Sequence, residues 1–345
     1  MGVDLGDLVE KQTISIDSLS GKTLAIDSYN IIYQFLSSIR QEDGTPLKNS
    51  RGNVTAHLSG LFYRTSKLLE AGIRPVFVFD GKANPLKHRV QQERMEAKET
   101  AISKWKAALE VGNADEARKY AQATGKLTRD MVEEGKELLS ALGVPSVAAP
   151  SDGEAQASIM VQKGLAYATA SQDYDALLFG SSILVRNLSI SGRRKVPRQD
   201  RYVIVEPEQL NLKETLASLK IDRMQLILLG ILLGTDFNQG VPRVGPKTAL
   251  KIVKDNPTQK QIIDYVKTKY DYQFEVDVEE VISIFLNPPY LEVEDLKWNE
   301  PDLDKISKIL VDKHDFSIER VEKTVNELKK VLVEKGAQSK LEQWF

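Results

Sequence analysis

Pro75-Val76-Phe77-Val78-Phe79-Asp80 is an unbroken apolar run closed by a carboxylate. A run this short and this apolar reads as a strand covered on both faces, as the strands of a parallel sheet are. Lys22 to Asp27 repeats the design and ends Leu24-Ala25-Ile26-Asp27; Pro145 to Ala149, Tyr167 to Ala170 and Ile183 to Leu188 supply three more runs. Helical patterns lie between them. Leu58, Leu61, Phe62, Leu68 and Leu69 mark one amphipathic helix, and Met224, Leu226, Ile227, Leu229 and Leu232 another. The alternation predicts an α/β fold with a mainly parallel central sheet and flanking helices.

The acids fall where such a sheet would gather them. Asp27 and Asp80 end two strands, Asp173 and Asp175 follow Tyr167-Ala168-Thr169-Ala170, Asp152 and Glu154 follow Val147-Ala148-Ala149-Pro150, and Asp236 closes the apolar helix ending Leu232-Leu233-Gly234-Thr235. Parallel strands share one C-terminal edge, and open α/β sheets bind ligands just outside it. Seven carboxylates in one place would repel one another and take up protons unless cations were present. Divalent ions resolve the conflict: magnesium prefers carboxylate and water oxygens, and a pair of such ions activates a water and stabilises the leaving oxygen of a phosphodiester. Each acid alone also has a structural reading. Asp27 and Asp80 could end strands or cap turns, Asp173 and Asp175 could cap the turn at Tyr174, and Asp236 could be a helix-end loop residue. Ser151 and Glu154 fit a capping box, with Ser151 as N-cap.

The remaining composition narrows the class. The 345-residue chain has no cysteine, which excludes disulfides, thiolate zinc sites and thiol catalysis. His57, His88 and His314 lie far apart with no metal-ligand spacing, and are expected to be surface or capping residues. No apolar run reaches the ~20 residues of a membrane span and no signal pattern opens the chain. A cytoplasmic location is expected, or nuclear in a eukaryote. The net charge of -2 hides a segregation. Between Lys82 and Lys106 seven cationic residues oppose three acidic ones, and from Arg186 to Arg201 six oppose one. That suggests a polyanion track beside an acidic pocket. From Lys82 to Arg129 the pattern becomes charged helix, an excursion from the core; beyond Thr235 it reads as helical to about residue 335, followed by a short tail. Ser191-Gly192-Arg193 suits a hairpin tip, which could contact duplex or be a solvated ribbon.

Taken with Met1-Gly2-Val3, Ser151-Asp152-Gly153-Glu154-Ala155, Ser171-Gln172-Asp173-Tyr174-Asp175 and Gly234-Thr235-Asp236-Phe237, these stretches resemble the flap endonucleases of the structure-specific 5′ nuclease superfamily. The resemblance runs over nearly the whole chain. It implies a PIN-like nuclease core spanning residues 1–335, with a helical arch or gateway at 82–129, a helix-two-turn-helix at 222–256 and a clamp-binding tail at 336–345. It further implies cleavage of 5′ single-stranded flaps in replication, including Okazaki fragment maturation, and in repair, with a secondary 5′–3′ exonuclease activity. Two Mg²⁺ ions, replaceable by Mn²⁺, would be held by Asp27, Asp80, Asp152, Glu154, Asp173, Asp175 and Asp236. The family commonly has Glu where this chain has Asp152, one methylene shorter, which leaves direct and water-mediated ligation both open.

Further roles follow residue by residue. Lys87 and Arg94 match the family's catalytic basic pair, and a spacing of seven puts them about 10.5 Å apart on one helix face. Tyr33 matches an aromatic that stacks on a base beside the cut. The apolar face formed by Ile31, Ile32, Phe35, Leu36 and Ile39 agrees, because Tyr33 points away from it; packing against the cap is its alternative. Gly240-Val241-Pro242-Arg243-Val244-Gly245-Pro246-Lys247-Thr248 resembles the duplex-binding element, whose Gly240, Gly245, Lys247, Lys251 and Lys254 would meet phosphates together with Gly2, and which holds a monovalent cation, K⁺, in the family. A plain capping turn is the alternative. Gln338, Leu341, Trp344 and Phe345 occupy the recognition positions of a peptide that docks on the sliding clamp PCNA. A chain ending at that motif resembles the archaeal members, and a monomer is expected when free. The rival readings are a 5′ exonuclease, a bubble-cutting repair nuclease, or a non-catalytic DNA-binding clamp adaptor.

Overall fold

The computed structural model describes residues 2–41, 44–113, 116, 119–120, 124–190, 192–195 and 202–342. Its centre is a seven-stranded sheet in the order β1-β9-β6-β5-β2-β3-β4. The five apolar runs form its parallel part: β2 (Thr23–Asp27), β3 (Arg74–Phe79), β4 (Ser146–Ala148), β5 (Ala168–Ala170) and β6 (Ile183–Arg186). Two strands that the sequence pattern did not mark complete one edge antiparallel, β9 (Glu208–Asn211) on β6 and β1 (Gln12–Thr13) on β9.

Strand alternation builds two cores. Phe77 and Phe79 face one apolar cluster with Leu24, Ile26 and helices α1 (Ser28–Ser38), α2 (Ala56–Glu70) and α4 (Arg129–Ala141). Val76, Val78 and Ala25 face the other, with Ala157 and Met160 of α5 (Gly153–Gln162). Each of the Phe, Leu, Ile, Val and Met side chains named, at most 2% exposed, contributes about 1.5–3 kcal/mol relative to exposure. Covering both faces is why Leu24 to Ile26 and Pro75 to Phe79 are apolar throughout, up to Asp27 and Asp80. The chain leaves β2 toward β3 and β4, then returns to the other side of β2 for β5 and β6. That reversal puts a crevice at the C-terminal ends of β2 and β5.

The long helix α3 (Lys87–Glu110) leaves the core after β3, as expected of the charged segment. Past Thr235 the chain is less uniformly helical than the sequence pattern suggests. Residues 287–302 form neither helix nor strand, and Gln156 brackets them through the Leu291 backbone at 2.7 and 3.0 Å while the Trp298 indole donates to Pro75 O at 2.9 Å. The final helix, α13 (Ile318–Glu342), carries on through Gly336 without a break, so the tail begins inside a helix. His57 and His314 are not surface residues: both are buried, and their Nε2 atoms flank Glu134 at 3.1 and 3.2 Å. The pairing fastens the turn before α13 to α2 and α4, a contact between residues too distant in sequence for spacing to reveal. Among the described residues no helix is long and apolar enough to cross a membrane.

Candidate active site

Five loops at the C-terminal edge of the sheet deliver the acids. Asp27 is both the last residue of β2 and the N-cap of α1, accepting from Asn30 N at 3.1 Å. The capping and site readings are therefore compatible, since one oxygen serves each. Asp80 follows β3 and accepts from Gly153 N at 2.7 Å. A Cβ at Gly153 would lie 2.7 Å from Asp80 Oδ1, so only glycine lets the β4–α5 loop approach so closely. The expected capping box is absent there: Asp152, not Ser151, caps α5, accepting from Glu154 N at 3.0 Å. Glu154 is thereby released inward, where it accepts from Ala176 N at 3.2 Å.

Asp173 and Asp175 complete the ring. Asn30, on α1, donates to Asp173 Oδ2 at 3.0 Å and accepts from Gln172 N at 3.3 Å, tying the β2 and β5 loops together. The Ser171 hydroxyl reaches Asp27 Oδ2 at 3.4 Å. Asp175 opens the short helix α6 (Asp175–Leu178) and accepts from Val3 N at 2.6 Å, while Gly2 lies directly against its carboxylate. Arg186 braces this loop from behind: it donates to Gln172 O at 3.0 Å and to the Tyr174 hydroxyl, and its guanidinium lies 4.0 Å from the Tyr174 ring centre. Asn30, Ser171 and Arg186 were invisible as site residues in the sequence; only their places beside the acidic motifs hinted at them.

The electrostatics join all seven acids in one cluster. Burial, then Asp80, pushes the Asp27 carboxyl well above the usual range, and burial, then Asp175, does the same to Glu154. Asp80 is raised to about 6 by burial and Asp152, and Asp175 to about 8 by burial, Asp236 and Asp173. These groups stand in a low-dielectric pocket facing like charges, so protons or cations must neutralise them. The donor set is all oxygen and suits Mg²⁺ or Mn²⁺, and excludes a thiolate metal. Lys87 supplies one positive charge. Its ammonium bonds Asp152, lies 3.6 Å from Asp236 Oδ2 and is largely buried. Burial alone would lower its pKa, but Asp152, Asp236 and Asp80 outweigh burial and raise it.

The other expected residues divide by position. Arg94 lies on α3 about two turns beyond Lys87, with its side chain outside the described set. Tyr33 is 45% exposed on α1, opposite buried Ile31, Ile32, Phe35 and Leu36. Helices α8 (Arg223–Leu233) and α9 (Pro246–Asp255) frame the segment expected to bind duplex. Gly245 is the N-cap of α9 with open space around it, Pro246 occupies the first helical position, and Lys247, Lys251 and Lys254 are exposed opposite buried Ala249, Ile252 and Val253. Gly240 packs inward on the Leu233 carbonyl, an internal contact that makes it part of the turn's own structure. The expected hairpin tip at Ser191-Gly192-Arg193 is displaced: β7 (Gly192–Lys195) pairs with β8 (Tyr202–Val205), and residues 196–201 and Ser191 lie outside the described set. Gln338 and Leu341 fall on the backbone of α13, while Trp344 and Phe345 lie outside the described residues.

Known proteins share this arrangement. Residues 1–101 match the model of the XPG N-terminal domain and residues 143–236 that of the XPG I-region, which together contain all seven acids. A curated relative, flap endonuclease 1 of Pyrococcus abyssi, is 51% identical over 100% of this chain and 98% of its own length. Among solved structures, flap endonuclease-1 from Methanococcus jannaschii superposes with a TM-score of 0.75 at 40% identity, covering 97% of this chain and 100% of that one. The catalytic core of Rad2 in complex with DNA substrate gives a TM-score of 0.70 at 25% identity, covering 95% of this chain and 100% of that one.

Proposed function

The chain belongs to the flap endonuclease 1 family of XPG-type nucleases, and on that premise we propose that it hydrolyses one phosphodiester at the base of a 5′ single-stranded flap on branched DNA. It is a metal-dependent DNA endonuclease of replication and repair. One observation carries the finer reading: seven carboxylates from five loops, four of them with raised pKa values, meet at the crevice of a parallel sheet beside a buried lysine. A non-catalytic adaptor would have no use for so costly a cluster.

Two Mg²⁺ ions, with Mn²⁺ as a substitute, suit Asp27, Asp80, Asp152, Glu154, Asp173, Asp175 and Asp236. When bound, divalent ions supply Lewis acidity and an activated water for in-line displacement. The chain's own residues supply position and charge. Asn30, Ser171, Val3 N and Gly153 N fix the acids from behind, so their outer oxygens face the crevice already oriented. Lys87 and Arg94 offset the charge of an incoming phosphate, and Tyr33 stacks on the base next to the cut. The open N-terminus of α9 and its lysine stripe, with the Gly240 turn and, beside the acid cluster, Gly2, hold duplex phosphates without reading sequence, with K⁺ as the expected counter-ion. The tail recruits PCNA through Gln338, Leu341, Trp344 and Phe345.

The test is cleavage of labelled 5′-flap, 3′-flap, bubble and nicked duplexes with Mg²⁺ or with chelator. Incision confined to 5′-flapped substrates and abolished by chelator is expected. Equal cutting of bubbles would favour the repair-nuclease reading, and cutting in chelator would overturn the metal assignment.

A further inference from the structure

Phe237 follows Asp236 directly, and its ring is 1% exposed. Phe285 meets it edge-on at 5.4 Å and 83°. The Lys87 ammonium stands over this ring, 5.0 Å from its centre. Leu86, just before α3, and Val90, on its first turn, line a shallow cleft with Phe237, Tyr272 and Phe274. The base of the arch helix is thus seated on the aromatic end of the duplex-binding region, and Lys87 is the one charged residue of that first turn whose placement is described.

A lysine ammonium is a compact charge on a flexible four-carbon stem, and carboxylates attract it from several directions. Asp152 and Asp236 alone therefore leave it free to follow whichever acid is most negative. A ring face differs from a carboxylate in two ways. It is negative through its quadrupole and carries no net charge, so it attracts the ammonium without neutralising it. Held by Phe285 and the core, it is also fixed in direction. The ammonium consequently keeps a defined position, and the N–H donors it does not give to Asp152 remain available to an anion.

We propose that Phe237 is a positioning residue whose ring face holds the Lys87 ammonium at the edge of the acid cluster, so that this charge is already in place when the flap phosphate enters. The inference rests on the catalytic role given to Lys87 above. It also explains why the apolar residue after Asp236 is aromatic where a core position alone would accept Leu or Ile.

Fluorination tests it without changing shape. Phe237 is replaced by 4-fluoro-, 3,5-difluoro- and 3,4,5-trifluorophenylalanine, each of which weakens the ring's negative face stepwise at nearly constant size. Single-turnover cleavage of 5′-flap DNA at saturating enzyme should slow in step with fluorine number, by up to roughly thirty-fold, the scale of a desolvated cation–π contact. DNA affinity should stay unchanged, while Tm falls by a few degrees at most, because the same contact belongs to the folded state. In a Lys87→Ala background the same series should be flat. A readout independent of turnover is the NMR signal of ¹³C-dimethylated Lys87 in ion-free protein, which the ring should shift upfield and Phe237→Leu should return to the ordinary lysine position. If Lys87→Ala cuts slowly but the fluorine series is flat, or if the slowing persists without Lys87, or if no ring-induced shift appears, the inference is overturned by itself. If Lys87→Ala cuts normally, the catalytic role of Lys87 falls first and the inference with it.

Discussion

Asp80 and Asp175 hold protons in the folded chain that they would release in the unfolded one. Their pKa values of about 6 and about 8 exceed the ordinary 3.8, so from about pH 4 to about pH 8 the folded state binds more protons than the unfolded state. Without divalent ions, this contribution to stability is present at low pH and is lost as pH rises through those values. Ions that replace the protons should therefore raise Tm more at pH 8 than at pH 5, and their binding should acidify an unbuffered solution. A thermal shift with Mg²⁺ that is the same at both pH values would contradict the cluster. Asp80→Asn and Asp173→Asn should remove detectable turnover while flap DNA still binds, because the phosphate contacts proposed for α9 would be untouched; near-normal cutting by both at limiting Mg²⁺ would sink the metal assignment. Asn30→Ala is expected to raise the Mg²⁺ needed for half-maximal cleavage about 10–100-fold, the usual effect of losing a hydrogen-bond partner of a metal-binding carboxylate. The acids were legible in the sequence because strand-end carboxylates interrupt apolar runs. Asn30 and Ser171 were not, since neutral polar residues beside a strand leave no comparable contrast.

Elements were legible to the extent that one physical pattern dominated them. Val76 to Phe79 announce a strand because both faces must be apolar; Met224, Leu226, Ile227, Leu229 and Leu232 predict an amphipathic helix, whereas Leu226 to Leu232 are buried nearly all round and Met224 is exposed. Strand β9, Glu-Gln-Leu-Asn at 208–211, lies toward the sheet's edge with one buried side chain of four, and β1 is two exposed residues, so neither shows a period. The start of α5 was misassigned by one residue because Ser151 and Asp152 are both good caps; the closeness of Asp80 to Gly153 N favours the second. Helix α9 shows the opposite case, with pattern and structure agreeing on a buried stripe and a lysine stripe. If its lysines meet duplex phosphates, Lys251→Ala should weaken binding equally for every sequence and reduce the slope of log affinity against log salt by about 0.9. An unchanged slope would make α9 an ordinary solvated helix.

The whole molecule joins a site near its middle to a tail that contributes none of the acids. Deleting residues 338–345 should leave flap cleavage without clamp nearly intact, since the fastening of the last helix at Glu134 lies upstream of the cut. Stimulation by PCNA should vanish, because tethering acts through effective concentration at the junction. Loss of activity without clamp, or stimulation unaffected by the deletion, would assign the tail to the fold. The strand order has a further consequence, in time. Leu24 on the central strand pairs with Ala168, and Asp175 cannot meet Asp236 until the chain has grown past α8. At about 5–20 residues per second, roughly 10–40 s separate the synthesis of Asp27 from that of Asp236. The first acids thus wait, each harmless, for partners not yet made. The full set of acids therefore cannot exist until synthesis has reached Asp236, well after the first strands of the sheet have been made.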